Sequence, residues 1–501
     1  MSLTELWTKL EESRRPFLDR ARDCSAVTVP YIIPPEGFYE GGDLPDQYQN
    51  LGSRGVNNLA SKLMLSLFPP DAPYFQLEPD PEAWAGVSQD DRILIESQLR
   101  AAEQLIQGSI ESLPARPALY EALRHLLISG NCVLYIPDEG VPQVFGLDRF
   151  VVERDAQDRV KTLLLTSKVP AESVPKTAET LAVSSFLSAS DSDYVDLITA
   201  VQMTPDGDYK ISQEIGDKKL KAKRTVSAAR CPYKVIRLNK LSGEPYGRGF
   251  VEDHLGDLQS LEGFSQAVAE GVAISVETKW LVDPGGRTYV QDLDNSSNGD
   301  YIPGRGEDVE VLQANKAMDL RVGQEMIAQL KMELKQDFLL LSGVQRQAER
   351  VTATEIQGLA RELESALGGV YSTLTIELQL PLIDYQVAKL TEEEILPELE
   401  SGTLEPRVVT GVEALGRSQE LGRIQMASQM LQGLFGPQAI ASMLDLTATA
   451  TKIFNAAGLD SAGLVKSQEV MQEEQRAAQA QALMERAAPN IAGAIGQAAT
   501  E

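Results

Sequence analysis

Two stretches of helical apolar period, each long for a globular protein, bracket a small lobe rich in turn residues, and few folds accommodate that order. Val251, Leu255, Leu258, Leu261, Val268 and Val272 recur at helical spacing, which predicts a first helix of about 25 residues against a usual ~10–14. Residues 280–312 follow, with β and turn character and the breakers Asp283-Pro284-Gly285-Gly286 and Pro303-Gly304-Arg305-Gly306. A second long helix is expected over about 314–341. Projected at about 100° per residue, Ile327, Leu330, Leu334, Phe338 and Leu341 form one apolar stripe. Arg321, Lys331 and Lys335 lie along one flank of it, and Glu333 and Asp337 along the other. A free monomer has little use for helices protruding on both sides of a small insert. Subunits arranged about an axis do, because neighbours bury the flanks.

The segments before and after this unit read more conventionally. An amphipathic helix is expected in the first thirty or so residues, from Leu3, Leu6, Trp7, Leu10 and Phe17. A Gly-, Pro- and Asp-rich loop covers 34–46, and a helix over 53–68 is stopped by Pro69-Pro70. Helices over 90–110 and 118–128 follow, the latter ended by Gly130. Short runs rich in Val, Ile, Leu and Tyr at 132–136, 150–153, 160–166, 194–204 and 235–238, punctuated by Pro205-Asp206-Gly207-Asp208, predict a β-rich unit over about 131–240. Within it, 170–193 reads as a helix fragment and a mobile loop. After the second long helix comes the break 342–351. Thr352 and Glu355 then make a capping box for a helix running to Gly368-Gly369 and on towards Leu380-Pro381. Beyond Leu396-Pro397 the chain reads as helical and rich in Ala and Gln, with a low-complexity tail over 472–501 whose last dozen residues fray.

The residues offer little chemistry. No Gly-x-x-x-x-Gly-Lys-Ser/Thr loop is present to cradle a nucleotide. The 2 histidines, His125 and His254, stand in unrelated segments and read as packed or solvated helix residues. Cys24, Cys132 and Cys231 fit no metal or redox spacing and read as reduced, partly buried thiols. Asp292 to Ser296 opens like a calcium loop, but Ser297 stands where the turn needs glycine and Pro303 where a bidentate Glu belongs, so a solvated turn is expected. Glu252, Asp253 and Asp257 open a helix, where the dipole favours them. No catalytic residue, metal site or cofactor is expected. No signal peptide or apolar run of about 18 residues is seen, so a cytoplasmic fold without a membrane span is expected.

Net charge separates gripping from guiding. With 73 acidic against 46 basic residues the chain carries -27, which argues against a broad basic nucleic-acid face but not against a wall past which DNA slides. Arg346 and Arg350 lie four apart in the 342–351 break, beside Gln345 and Gln347. A solvated interhelical loop is one reading. A phosphate-facing loop is the other, and repetition round a ring would make a belt of positive charge.

Several blocks resemble a known family. Ser53-Arg54-Gly55-Val56-Asn57-Asn58-Leu59-Ala60-Ser61-Lys62-Leu63-Met64, through Phe68-Pro69, is similar to the N-terminal signature of T7-like podophage portal (head-to-tail connector) proteins. So are Ser129-Gly130-Asn131 with Leu134-Tyr135-Ile136-Pro137, and Tyr246-Gly247-Arg248 with Leu255-Gly256-Asp257-Leu258. Val344-Gln345-Arg346 with Glu349-Arg350-Val351-Thr352-Ala353, and Glu377-Leu378-Gln379-Leu380-Pro381-Leu382, continue the family's order. The blocks run from about residue 14 to 425; departures lie in 170–193, 288–298 and the C-terminal tail.

The resemblance implies an α+β, mainly α subunit of a dodecameric ring. Its wing would be 1–250, with the β-rich part at 131–240, its stem 251–276 and 314–341, and its clip 277–313. A tunnel loop at 342–350, a wing helix and following segment at 351–400, a helical crown at 401–485 and a flexible tail at 486–501 complete it. Subunits would pack through Leu255, Leu258, Ile327, Leu330, Leu334 and Phe338. Gln345, Arg346, Arg350, Lys331 and Lys335 would face DNA; Trp280, Arg287 and Arg305 would serve docking at the clip. Implied partners are further copies of the chain, double-stranded DNA in transit, major capsid and scaffolding proteins, the terminase large subunit, a tail adaptor and internal core proteins. The implied place is the portal vertex of a virion assembled in host cytoplasm. The rival reading is a helical oligomeric scaffold or adaptor that handles no DNA.

Overall fold

The computed structural model describes residues 2–39, 41–69, 74–78, 89–112, 114–138, 140–170, 194–215, 218–220, 224–276, 279–312, 317–341, 353–366, 369–395, 407–410, 430–431 and 433. The chain divides into two compact units, Met1–Val351 with Glu355–Gly411, and Thr352–Thr354 with Val412–Glu501. The architecture described is that of the first.

Its N-terminal half is helical. Helix α1 (Leu3–Ala26) starts on a capping box: Ser2 Oγ accepts from Glu5 N–H at 3.2 Å, and Glu5 Oε2 accepts from Ser2 N–H at 3.0 Å. Helices α2 (Leu51–Leu67), α3 (Gln89–Ser112) and α4 (Ala115–Ser129) follow, with the short strand β1 (Phe75–Glu78) before α3. Leu59, Leu63 and Leu67 of α2, and Ala122, Leu123 and Leu126 of α4, are fully buried, the i, i+3, i+4 face that the apolar period marks.

The β-rich unit contains two sheets. Strands β2 (Asn131–Tyr135), β3 (Gln143–Phe145) and β10 (Tyr233–Arg237) make a three-stranded sheet of order β10-β2-β3. Strands β4 (Phe150–Arg154), β5 (Val160–Pro170), β6 (Tyr194–Met203), β7 (Tyr209–Ile215) and β8 (Lys218–Lys219) follow in that order in a second, with β9 (Arg224–Val226) also on β7. The pairs are antiparallel, Leu163 facing Val201 and Val201 facing Ile211. Buried Arg14 of α1 ties the helix to this sheet, donating to the carbonyls of Leu147, Asp148 and Phe150 at 2.9–3.2 Å.

Helix α5 (Phe250–Asp253) and helix α6 (Leu255–Val276) stand where one helix was expected. His254 breaks them, its ring packed 4.8 Å from Phe250 and 5.6 Å from Phe338. The lobe after α6 is a hairpin of β11 (Lys279–Val282) and β12 (Val309–Leu312), with Trp280 opposite Val311, enclosing helix α7 (Val290–Asp294). Asp292 and Asp294 therefore lie on a short helix rather than in the solvated turn expected. Helix α8 (Ala317–Asp337) is the second long helix, and it stops four residues before the anticipated end at 341. Helices α9 (Ala353–Ala366), α10 (Val370–Leu374) and α11 (Leu380–Glu392) follow, the last two joined through a π-helical turn, Thr375–Gln379. Gly369, at φ +89, interrupts the single helix anticipated from 352.

Strand β13 (Arg407–Thr410) pairs antiparallel with β1, Phe75 opposite Thr410. It corrects the helical expectation for its four residues: an isolated four-residue run takes β structure from its partner, not from period. Thr352, the 171–193 segment and nearly all of 411–501, with the expected capping box, mobile loop, crown and tail, lie outside the described residues.

A knot of short side chains joins the β-rich unit to the long helices. Gly130, at φ +72, ends α4 in the left-handed conformation, and an added Cβ would stand 2.2 Å from the carbonyl carbon of Arg248. Asn131 Nδ2 donates to Gly247 O, and Asn131 Oδ1 accepts from Gly247 N–H, both at 2.7 Å. Val152 N–H donates to the hydroxyl of buried Tyr246 at 3.0 Å. Arg248 spans Glu244 and Glu252 at 2.9 and 2.8 Å. Two motif blocks distant in sequence therefore meet at the root of α5. A second ionic knot ties α11 down: Asp138 accepts from Arg224 and Arg230 at 2.9 and 2.6 Å and from the Tyr385 hydroxyl at 3.2 Å, and Arg230 pairs with Glu392 at 2.8 Å. Burial raises the Asp138 pKa, but the arginine hydrogen bonds outweigh it and hold the carboxyl at about 2.

Gly130→Ala should lower stability by at least about 2 kcal/mol, because it adds a backbone clash to the left-handed cost. Gly207→Ala, at φ +90 in a hairpin turn with open space around it, should lose only about 1 kcal/mol. Denaturant midpoints at one protein concentration check this; equal losses would count against the knot.

Candidate functional site

The two long helices run antiparallel: His254 meets Phe338 and Asp337, Val268 meets Gly323, and Gly271 meets Leu320. Small residues permit the approach. A Cβ at Gly323 would stand 2.9 Å from Val268 Cγ2, and one at Gly271 2.8 Å from Leu320 Cδ2. Towards the root of the pair, Leu258, Leu261, Leu330, Leu334 and Phe338 are buried within a single chain. Phe250 packs edge-on to Phe338 at 5.5 Å.

That placement corrects one expectation. Leu258, Leu330, Leu334 and Phe338 are covered by the chain itself, and Leu255 and Ile327 are half-buried. The stripe does not stay open for a neighbour, because α6 folds back on α8 and α2 closes over Phe338. The apolar residues left uncovered are others: Phe264, Val272, Ile274 and Val276 on α6, and Met318, Val322, Met326 and Met332 on α8, 39–76% exposed. Their signal in the sequence is an excess of apolar residues around α6 beyond what one face can use.

The polar residues expected to face DNA divide into two groups. Lys331 and Lys335 are half-buried on α8. Arg321 pairs with Glu325 at 3.2 Å on the exposed side of the same helix. Gln345, Arg346 and Arg350 lie outside the described residues.

In the small lobe, one carboxylate organises two turns. Asp308 Oδ2 accepts from Arg287 N–H at 2.8 Å, from Thr288 N–H at 3.1 Å and from Thr288 Oγ1 at 3.0 Å. Thr288 Oγ1 in turn accepts from Arg305 N–H at 3.0 Å. Gly304 is required there, since a Cβ would stand 2.3 Å from that hydroxyl. The lobe thereby holds Arg287, Arg305, Tyr289, Tyr301 and Trp280 exposed at its surface, Trp280 at 62%. A rigid, exposed aromatic with arginines nearby is the composition of a protein-docking surface.

Both histidines serve packing. His125 is buried against Gly146, and burial, with Arg124 and Arg149 adding, pushes its imidazole down to about 3. His254 packs at a tilt against both Phe250 and Phe338, 3.6 Å from Asp337. The three cysteines are buried and unlinked. Among the described residues no cluster of three or more His, Cys, Asp or Glu is placed to hold a metal ion, and no helix is long and apolar enough to cross a membrane.

Leu334→Ala should cost about 2–5 kcal/mol of chain stability, whereas Val322→Ser should change it by less than about 0.5 kcal/mol. Denaturant unfolding of the two variants separates the intrachain core from the open face; the reverse order would contradict the assignment.

A family model described as bacteriophage head to tail connecting protein matches residues 1–465. The chain is 34% identical over 501 residues to the portal protein of Enterobacteria phage T3, covering 99% of this chain and 94% of that one. It is 33% identical over 500 residues to the portal protein of Escherichia phage T7, covering 98% and 92%, and 30% identical over 496 residues to that of Pseudomonas phage phiKMV, covering 96% of each. A chain from the neck of a native GTA particle aligns over 80% of this chain and 89% of that one, at 12% identity and a TM-score of 0.34. On the strength of the family match and the near full-length relatives, the chain belongs to the bacteriophage head-to-tail connecting, or portal, protein family.

Proposed function

We propose that copies of this chain close into a ring at one vertex of a phage head, and that double-stranded DNA passes through the ring when the head fills and when it empties. The observation that carries the reading is the row of exposed apolar side chains on α6 and α8, in a chain of this family. Water contact with Val272, Ile274, Met318 and Val322 is unfavourable at about 25 cal/mol per Å², and neighbouring copies offer a surface that removes it. Twelve copies follow from the family resemblance.

In this ring α6 and α8 form the stem and the hairpin lobe the clip. Residues up to 250 with 351–400 form the wing, 342–350 a tunnel loop, and 401–485 the crown. Trp280, Arg287 and Arg305 at the clip suit docking of the terminase during packaging and of a tail adaptor afterwards. Capsid, scaffolding and internal core proteins meet the remaining surfaces. The ring's place is the virion, after assembly in the host cytoplasm.

Net charge sets how the channel treats DNA. A chain of -27 offers a wall that repels phosphate and lets it slide. Arg346 and Arg350, repeated by symmetry, give a local positive belt whose contacts ignore base sequence and weaken with salt. Lys331 and Lys335 extend the same flank. A scaffold that handles no DNA would have no need of such a belt.

Reversing both charges, Arg346→Glu with Arg350→Glu, should leave ring assembly intact while packaging or DNA retention falls. Counting DNA-filled heads after a salt challenge reads this directly. Heads that fill and hold DNA normally would refute the channel role of the belt.

A further inference from the structure

The C-terminal end of α8 is held more tightly than the packing of two helices requires. It closes on a Schellman turn, in which Leu340 N–H donates to Lys335 O at 2.8 Å and Leu339 N–H to Gln336 O at 3.0 Å. Leu339 sits at φ +52, the left-handed position that ordinarily takes glycine. A leucine persists there only where its surroundings over-determine it.

Helix α2 supplies those surroundings. Asn58 Nδ2 donates to Phe338 O at 3.0 Å and to Leu339 O at 3.1 Å, and Lys62 Nζ donates to Leu339 O at 2.9 Å. Gly55 lies so close to the Phe338 ring that an added Cβ would stand 2.5 Å from Cδ1. Gly55, Asn58 and Lys62 are spaced three and four apart, so one face of α2 carries all three contacts. Their targets are carbonyls left without intrahelical partners, at the end of the helix where the dipole favours a cation. Burial lowers the Lys62 pKa, and Glu362 opposes the shift.

The other end of the same helix holds what comes later in the chain. Buried Tyr371 donates its hydroxyl to Ser66 O at 3.2 Å, and buried Gln379 donates to Leu67 O at 2.6 Å. One 17-residue helix therefore fixes both the end of α8 and the start of the helices from Val370 onward.

We propose that α2 is the beam that sets the end of the second long helix relative to the helices from Val370, and that Asn58 and Lys62 are positioning residues for DNA passage. The inference rests on the ring reading, and its test is built so that the two fail separately. Full-length protein carrying spin labels at Ser61→Cys and Leu341→Cys, both exposed sites, is co-assembled with excess unlabelled protein. The label distance should be narrowly distributed in the parent and broad in Asn58→Ala with Lys62→Met. Rings should still assemble with near-parent melting, while heads built with the double variant should lose DNA on a salt challenge. Restoring a cation as Lys62→Arg in the Asn58→Ala background should recover part of both readouts. If the double variant fails to assemble, Lys62→Met alone, which keeps the apolar stem, is read in the same way. Unchanged distances, or broadened distances with normal DNA retention, would overturn the proposal. If the Arg346 and Arg350 reversal leaks DNA while the α2 variant holds it, this inference alone falls. If the reversal also holds DNA, the channel role of the belt falls as well, while closed rings seen by electron microscopy would leave the ring reading standing.

Discussion

The antiparallel packing of α6 on α8 is the contact on which the remaining structure depends. Leu258 and Leu261 on α6 and Leu330, Leu334 and Phe338 on α8 are buried at its root, and Gly271 and Gly323 let the helices approach further out. With the root filled from within the chain, the apolar surplus is confined to the outer faces, at Phe264, Val272, Met318 and Val322. The pair is self-sufficient at one end and uncovered along its length, and the proposed ring would cover it with copies of the chain.

Residues before 250 hold that pair through short, specific contacts. Gly130 and Asn131 against Gly247, and Arg248 between Glu244 and Glu252, fix the root of α5. Gly55, Asn58 and Lys62 fix the end of α8. The first knot acts where the long pair begins and the second where it ends, so residues before 250 constrain both chain crossings. Each depends on glycines whose missing Cβ lets backbones or rings meet.

Much of this was legible in the residues, and the failures have physical causes. The apolar period placed α1, α2, α3, α4, α6 and α8 within a few residues, because long amphipathic segments declare themselves. The same period grouped Leu330, Leu334 and Phe338 on one face but could not say what covers them, so a self-made core was read as a neighbour's contact. The expected helix over 250–276 is broken at His254, and nothing in the period registers the packing of His254 against Phe250 and Phe338. Strands β1 and β13 were missed since each is short and its partner lies at the far end of the unit. Asn58 and Lys62 stood inside a recognised block without a role, because capping of another helix's carbonyls leaves no pattern along the chain.

The central claim is that the exposed faces of α6 and α8 find their cover in neighbouring copies about an axis. Electron microscopy of the purified full-length protein tests it most directly. The account requires closed rings with an open channel of duplex width, and with Val272 and Val322 buried between adjacent subunits. A compact monomer that shows no assembly at any concentration would contradict it.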